Sequence, residues 1–395
     1  MPQLLAFSII ALILFIGDAV STRTKSVLPS VFVCAILFLI GYWTFFPKEI
    51  VALAGFQTPV VMLAMYLLIT NMGTLLSFDE LTRQWRTVVV ALAGIAGIIA
   101  LLMTVGQLVL DFQTVVVATP PLVGGVVASL IMSQAATAEG LTSLAVLAIL
   151  IYVMQGFIGY PLTSMMLKRE GNRVLKLHRS GQWNRVAAVS DAQAEEADHP
   201  RMFKAMPAEY NSYYFKFLRL AVVAFLAWGT SQLVKPFFEI SPFVLCLVYG
   251  VIGTSVGFLE RQPLRSAGAF GFAILILMAF IFDGLKQATP QMLADLAWPL
   301  VCIITIGVIG MYVFSFIAGR LLGISPPLAF SCALTALYGF PADYIITNEV
   351  VNALTTDKDE REILTAHMMP PMLVAGFITV TMVSVVLAGI FVGLL

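Results

Sequence analysis

The chain has 395 residues, of which 60% are hydrophobic and 11% charged, less than half the roughly 25% charged residues of a soluble globular domain. With a mean hydropathy of +0.96, 28 Phe, 29 Gly and 18 Met, the composition suits lipid as the main solvent, which excludes a water-soluble fold. Lysine plus arginine equal aspartate plus glutamate at 22 each, so no bulk charge is left to attract nucleic acid or an acidic partner.

A helix needs roughly 20 apolar residues to cross the hydrocarbon. In chain order, such stretches run over 3–20, 27–46, 57–77, 87–110, 112–136 and 141–166. No Lys or Arg precedes the first, and Arg23 and Lys25 follow it, as expected of a first span and not of a cleaved signal peptide. The polar stretch from Lys168 to Asn211, which contains His178, Trp183 and His199, divides the chain. Six more apolar segments follow at 214–234, 240–259, 266–285, 296–322, 325–347 and 366–395.

Charge decides how these segments cross. If all twelve crossed fully, a cytoplasmic central loop would leave Arg23, Lys25, Arg83 and Arg86 outside and only Lys48 inside, against the positive-inside rule. If the fifth segment of each half instead dips in and returns, Arg23, Lys25, Arg83 and Arg86 fall inside and Lys48 outside. In the second half the same change puts Arg261, Arg265, Arg320, Lys358 and Arg361 inside, against Lys235 and Lys286 outside. The expectation is an all-α polytopic membrane protein with ten spans and two re-entrant segments, at about 112–137 and 325–350. Repeats at 1–166 and 213–395 flank a cytoplasmic connector at 167–212, with both termini outside. Five crossings per half make the second repeat inverted relative to the first. Pro120-Pro121-Leu122 and Pro326-Pro327-Leu328 open the two re-entrant segments in this alignment, with Ser129 opposite Thr335 and Ser133–Thr137 opposite Gly339–Asp343. PSVFVC ending at Cys34 and PFVLC ending at Cys246 give a second echo.

Non-helical backbone survives at membrane depth only where protein or a water-filled cavity satisfies it, so two such breaks define a site near the midplane. At the first expected tip, Ser133, Gln134 and Thr137 offer hydroxyl and amide groups. At the second, Gly339 and Pro341 interrupt the helix beside Tyr338, Asp343, Thr347, Asn348 and Glu349. Asp343 is the most informative of these, because an ionisable group at that depth costs at least about 2.5 kcal/mol without a partner. It reads as a cation ligand or proton carrier, a role compatible with N-capping the returning arm. Glu349 reads as reaching the cytoplasmic surface. Asn71 and Asp283 interrupt otherwise apolar helices and fit either the same cavity or the water interface.

Other residues read as structural. Cys34, Cys246, Cys302 and Cys332 sit in apolar runs as small hydrophobes, Asp18 is a boundary charge, and His178, His199 and His367 have no metal-ligand spacing. Met368, Met369, Pro370, Pro371 and Met372 read as a kinked start to the last span. No Walker motif, HExxH, dinucleotide loop or nucleophile–base constellation is present, so the chain reads as no enzyme and its energy source as an ion gradient.

Two stretches, Pro121–Thr137 (PLVGGVVASLIMSQAAT) and Ala336–Asp343 (ALYGFPAD), are similar to the two hairpin-tip segments of the bacterial sodium/glutamate symporter family. Gly284–Lys286 and His367–Ile378 resemble that family's later spans. Gln134, Ala135 and Ala136 stand where the family has a glycine-rich tip with a histidine, and Thr379, Thr381 or Ser384 where it has Asp and Asn. The resemblance implies an elevator transporter in which a mobile domain carrying both tips slides against a dimeric scaffold. Ser133–Thr137 and Gly339–Asp343 would enclose solute and sodium, with Asp343 and Ser133 as Na+ ligands. The expected function is Na+- or H+-coupled secondary transport of a small amino acid or carboxylate such as glutamate, in a bacterial inner membrane and as a homodimer. The alternative is a channel or sensor that uses the central loop to bind a partner.

Overall fold

The computed structural model describes residues 1–74, 84–124, 126–181, 209–235, 242–379 and 383–395. Arg83, Trp183, His199 and Thr381, and with them most of the expected connector, lie outside the described residues. Among the described residues every regular element is helical. The first half contains α1 (Gln3–Arg23), α2 (Ser30–Thr44), α3 (Ile50–Leu53), α4 (Thr58–Gly73), α5 (Trp85–Thr104), α6 (Phe112–Val123), α7 (Val126–Ala138) and α8 (Thr142–Arg179). The second contains α9 (Tyr213–Val234), α10 (Pro242–Ser255), α11 (Pro263–Ser266), α12 (Phe270–Asp283), α13 (Pro290–Asp295) and α14 (Ala297–Leu322). It closes with α15 (Pro326–Leu334), α16 (Ala342–Leu354), α17 (Lys358–Ile378) and α18 (Ser384–Val392).

Among the described residues, five helices are long and apolar enough to cross a membrane: Gln3–Arg23, Trp85–Leu108, Thr142–Arg179, Tyr213–Val234 and Ala297–Leu322. Within the expected spans at 27–46, 57–77, 240–259 and 266–285, the described helices are apolar and run for 15, 16, 14 and 14 residues. Within the last expected span the described helices are α17 and α18. α8, in contrast, runs on as one helix through Lys168 to Arg179, so the polar stretch begins as ordered helix. Glu170, Val174 and Leu175 are buried there, which gives these turns an inward face that a solvated connector would lack.

The chain divides into two compact units, and each draws on both halves of the sequence. The first comprises Met1–Ala11, Glu49–Arg83 and Arg185–Ile281. Within it α4 and α10 cross at bare backbone: a Cβ on Gly73 would stand 2.3 Å from the Leu247 carbonyl oxygen, and one on Gly250 2.3 Å from that of Thr70. Beside this crossing, Asn71 Oδ1 accepts from Leu264 N and Thr74 Oγ1 from Gln262 N, each at 2.9 Å, which satisfies the first amides of α11. Glu260, in the loop after α10, takes Lys216 at 3.0 Å, Asn211 at 3.0 Å and Ser266 at 2.6 Å. Burial pushes the Glu260 carboxyl up, but the Ser266, Asn211 and Lys216 donors outweigh it and leave the carboxyl below its usual range.

The second unit comprises Leu12–Lys48, Gln84–Asn184 and Phe282–Leu395. Its centre is the α5–α14 pair, the fourth expected segment of each half, crossing at Gly97 and Gly310. Around this pair pack the α6–α7 segment, α8, the α15–α16 segment, α17 and α18. α14 ends at Gly323, whose φ of +73° closes the helix with Ile324 N donating to Gly319 O at 2.8 Å. Asp111 caps α6 by accepting from Thr114 N at 2.9 Å.

Candidate functional site

Two interrupted segments of the second unit form the candidate site, and α8 serves as the ruler that locates them. Ser325, just ahead of α15, donates to Glu170 Oε2 at 2.6 Å, and Leu354, at the end of α16, packs where a Cβ on Gly171 would stand. The two ends of this segment therefore lie at the same level of α8. Its interruption, Tyr338–Pro341, lies instead beside Gly159 and Thr163: Tyr338 packs against Gly159 and its hydroxyl bonds Thr163 Oγ1 at 2.7 Å. That is about 10 residues back along α8, or about 15 Å at the helical rise. α17 follows the same course, with Leu364 beside Gly171, His367 bonded to Glu170 at 2.8 Å, and Phe377 stacked on Phe340 at the interruption.

The other segment behaves the same way at the opposite end of α8. Val116 and Val117 of α6, Met132 and Ala136 of α7, and Ala145 and Ala148 near the start of α8 share one buried cluster. The interruption between α6 and α7 follows Leu122, which packs against Gly307 in mid-α14. Gly124 there has φ +114° and ψ 162°, a conformation open only to glycine. α6 also packs against the single turn Thr335–Leu337 that precedes the second interruption, so the two breaks adjoin.

The first expected tip is corrected by this geometry. Ser133, Gln134 and Thr137 sit in an unbroken helix, α7, because VVASLIMSQAATA contains no glycine or proline to interrupt it. The Thr137 hydroxyl bonds its own Ser133 carbonyl at 2.7 Å, and Gln134 and Thr137 are exposed. No described bond joins Ser133 to Asp343, the expected Na+ pair. The proline alignment shifts as well: Pro120 and Pro121 lie in the last turn of α6, just before its break, whereas Pro326 and Pro327 open α15 a full arm before theirs.

The helix break that the sequence places at Gly339 and Pro341 is present. Gly339 has φ +65°, the Phe340–Pro341 peptide is cis, and α16 starts at Ala342. Asp343 is 0% exposed; its Oδ1 accepts from Tyr344 N at 2.6 Å, while its Oδ2 has no hydrogen-bond partner among the described residues. α17 closes over that oxygen with Gly376, where an added Cβ would stand 2.3 Å from Oδ2. Thr347 Oγ1 donates to the Asp343 carbonyl at 2.7 Å, and Asn348 Nδ2 to that of Tyr344 at 2.9 Å, so both polar side chains are engaged within α16. A second orphaned acceptor, Gln155 Oε1, is buried one turn before Gly159 on α8.

The remaining expected positions are structural in their contacts. Glu349 does not reach solvent freely: it accepts from Ser21 Oγ at 2.6 Å and from Ser30 N at 3.0 Å, with Ser30 Oγ a further donor, and so caps α2. Asn71 belongs to the first unit, where it holds Leu264 N. Asp283 pairs with Lys286 at 2.6 Å. His367 joins Arg173 and Ser325 around Glu170, which is fully buried. Beyond that cluster, Arg179 grips Glu360 with bonds of 2.7 and 2.9 Å, and this pairing, aided by Thr355, holds the Glu360 carboxyl down at about 2.

Gln155, Thr163 and Gly376 are the site residues that sequence reasoning missed. Each is an ordinary member of an apolar helix until the fold brings it to a break. Comparison with known proteins adds no identity to this geometry: no family model matches the chain, and no curated protein matches it.

Proposed function

We propose that the chain is an ion-coupled secondary transporter of elevator type, built from two inverted repeats that each contribute a re-entrant hairpin. The observation that carries this reading is the Asp343 carboxylate, fully buried with one oxygen unpartnered, at the tip of a segment that leaves α8 at the level where it joined. A buried charge without a partner costs several kcal/mol, so such a group persists where a proton, a cation or a solute completes it. The second break, at Gly124, arrives from the other end of α8, and two half-helices meeting from opposite sides is how many transporters frame a midplane site.

Basic residues support the orientation. Lys168 bonds the Lys25 carbonyl, Arg86 reaches Leu322 O and Arg361 reaches Thr355 O, all toward the end of the second unit where α15 starts. By the positive-inside rule that end is cytoplasmic. The resemblance to the sodium/glutamate symporters fits the same reading, with a small amino acid or carboxylate as solute, Na+ or H+ as coupling ion, a homodimeric scaffold and a bacterial inner membrane. In this reading the solute contacts are Tyr338, Gly339 and Asp343, with Gln155 and Thr163 from α8. Reconstitution in proteoliposomes tests this: wild-type protein should accumulate solute saturably under an imposed Na+ or H+ gradient, and Asp343→Ala should not. Unsaturable flux that follows membrane voltage alone would make the chain a channel instead.

A further inference from the structure

We propose that the coupling ion is a proton, bound on Oδ2 of Asp343 beneath Gly376, and not a sodium ion. The inference rests on the transporter reading and names its ion. The reason is space and donor number. Sodium, close to calcium in size, needs several oxygens converging at about 2.3–2.6 Å. Oδ2 is buried with the α17 backbone at Gly376 against it, where not even a methyl group fits. Neighbouring hydroxyls give their hydrogens to their own helices, Thr335 to Cys332 O at 2.7 Å, Thr347 to Asp343 O at 2.7 Å and Thr379 to Ala375 O at 2.9 Å, so none donates to Oδ2. A proton needs no shell. It needs one lone pair, and Oδ2 offers it.

Among the described residues, the titratable groups around Asp343 supply no positive charge. Tyr338, ahead of the break, is the titratable group that senses Asp343 most directly, and Cys332 of α15 and Tyr160 of α8 lie behind it around Tyr338. On α17 the nearest titratable group toward the chain's N-terminal side is His367, which is engaged with Glu170, and further along α16 Glu349 is held by Ser21 and Ser30. No Lys, Arg or His bonds Asp343 among the described residues. Protonation therefore removes the unpaired charge while the tip is closed. When the tip opens to water, the O–H bond breaks, the proton leaves to solvent and the carboxylate is hydrated. Reprotonation from the other side completes the cycle with no further reactant.

Infrared difference spectroscopy on the full-length protein in nanodiscs, stepped in pH with choline chloride or NaCl, tests the assignment without needing the solute. A carboxylic-acid carbonyl band should titrate identically in both salts, vanish in Asp343→Asn and persist in Glu349→Gln. A band that NaCl displaces at fixed pH would overturn the proposal, as would a band lost in Glu349→Gln but kept in Asp343→Asn, or no band at any pH. If Asp343→Asn does not fold, Gly376→Ala must shift the band or its midpoint, and an unshifted band overturns the assignment. In proteoliposomes with L-glutamate as the probe, accumulation under a proton gradient without Na+ supports the proposal, and accumulation under a Na+ gradient alone contradicts it. An intact Asp343 band with no L-glutamate movement under either gradient supports the proton site and counts against glutamate transport instead.

Discussion

Gly97 and Gly310 face each other so closely that a Cβ on either would stand 2.2 Å from the other's carbonyl oxygen. They occupy the fourth apolar segment of each half, and their contact sets the distance between α5 and α14. Because the obstructing atoms are backbone, no rotamer change relieves a substitution. Gly97→Ala or Gly310→Ala gains helix propensity yet should lose about 1–3 kcal/mol by overpacking. A lower melting temperature of the purified protein, for both variants, checks this.

Glu170 ties three elements together by accepting from Arg173, Ser325 and His367. Truncation in Glu170→Ala removes the acceptor these donors share, although Arg173, at 44% side-chain exposure, can turn to water. The expected loss is about 1.5–3 kcal/mol, the range for hydrogen bonds to a charged group. Ser325→Ala and His367→Ala should each lose less, and combining either with Glu170→Ala should add little. Thermal denaturation of the singles and doubles reads out this coupling.

Acid should release the clamp between Arg179 and Glu360. The carboxyl is held below its usual value, down to about 2, by the Arg179 hydrogen bonds first and by Thr355 second. A depressed carboxyl contributes stability that is present above its unfolded value near 4.5 and is lost as the pH falls toward about 2. Arg179→Ala should therefore melt slightly below wild type at neutral pH, with the gap closing across that interval. Arg179 is solvent-exposed, so the gap is small and shrinks with added salt.

Much of this arrangement was legible in the sequence, and the gaps have physical causes. Gly339, Pro341 and Asp343 announced the second break, since backbone breakers beside an acid in an apolar run have few other uses. At the first break the polar letters of Ser133–Thr137 point past Gly124, where the backbone needs a glycine. Polarity marks what a tip could bind, whereas glycine marks where a helix stops. Glu170 sits in a stretch that reads as soluble, and its burial depends on Ser325 and His367, far away in sequence. Gly376 and Gln155 carry no local signal, because their meaning comes from packing against the second tip and α8.

The central claim is that both broken segments dip from opposite faces, and labelling at their four ends tests it most directly. In a background lacking Cys34, Cys246, Cys302 and Cys332, single cysteines replace Gln113 and Glu139 at the ends of the first segment, and Leu321 and Thr356 around the second. A membrane-impermeant maleimide applied to right-side-out and inside-out vesicles should label 113 and 139 from one face, and 321 and 356 from the other. Labelling of 113 and 139 from different faces, or of 321 and 356 from different faces, would mean that the segment traverses the bilayer and would contradict the account.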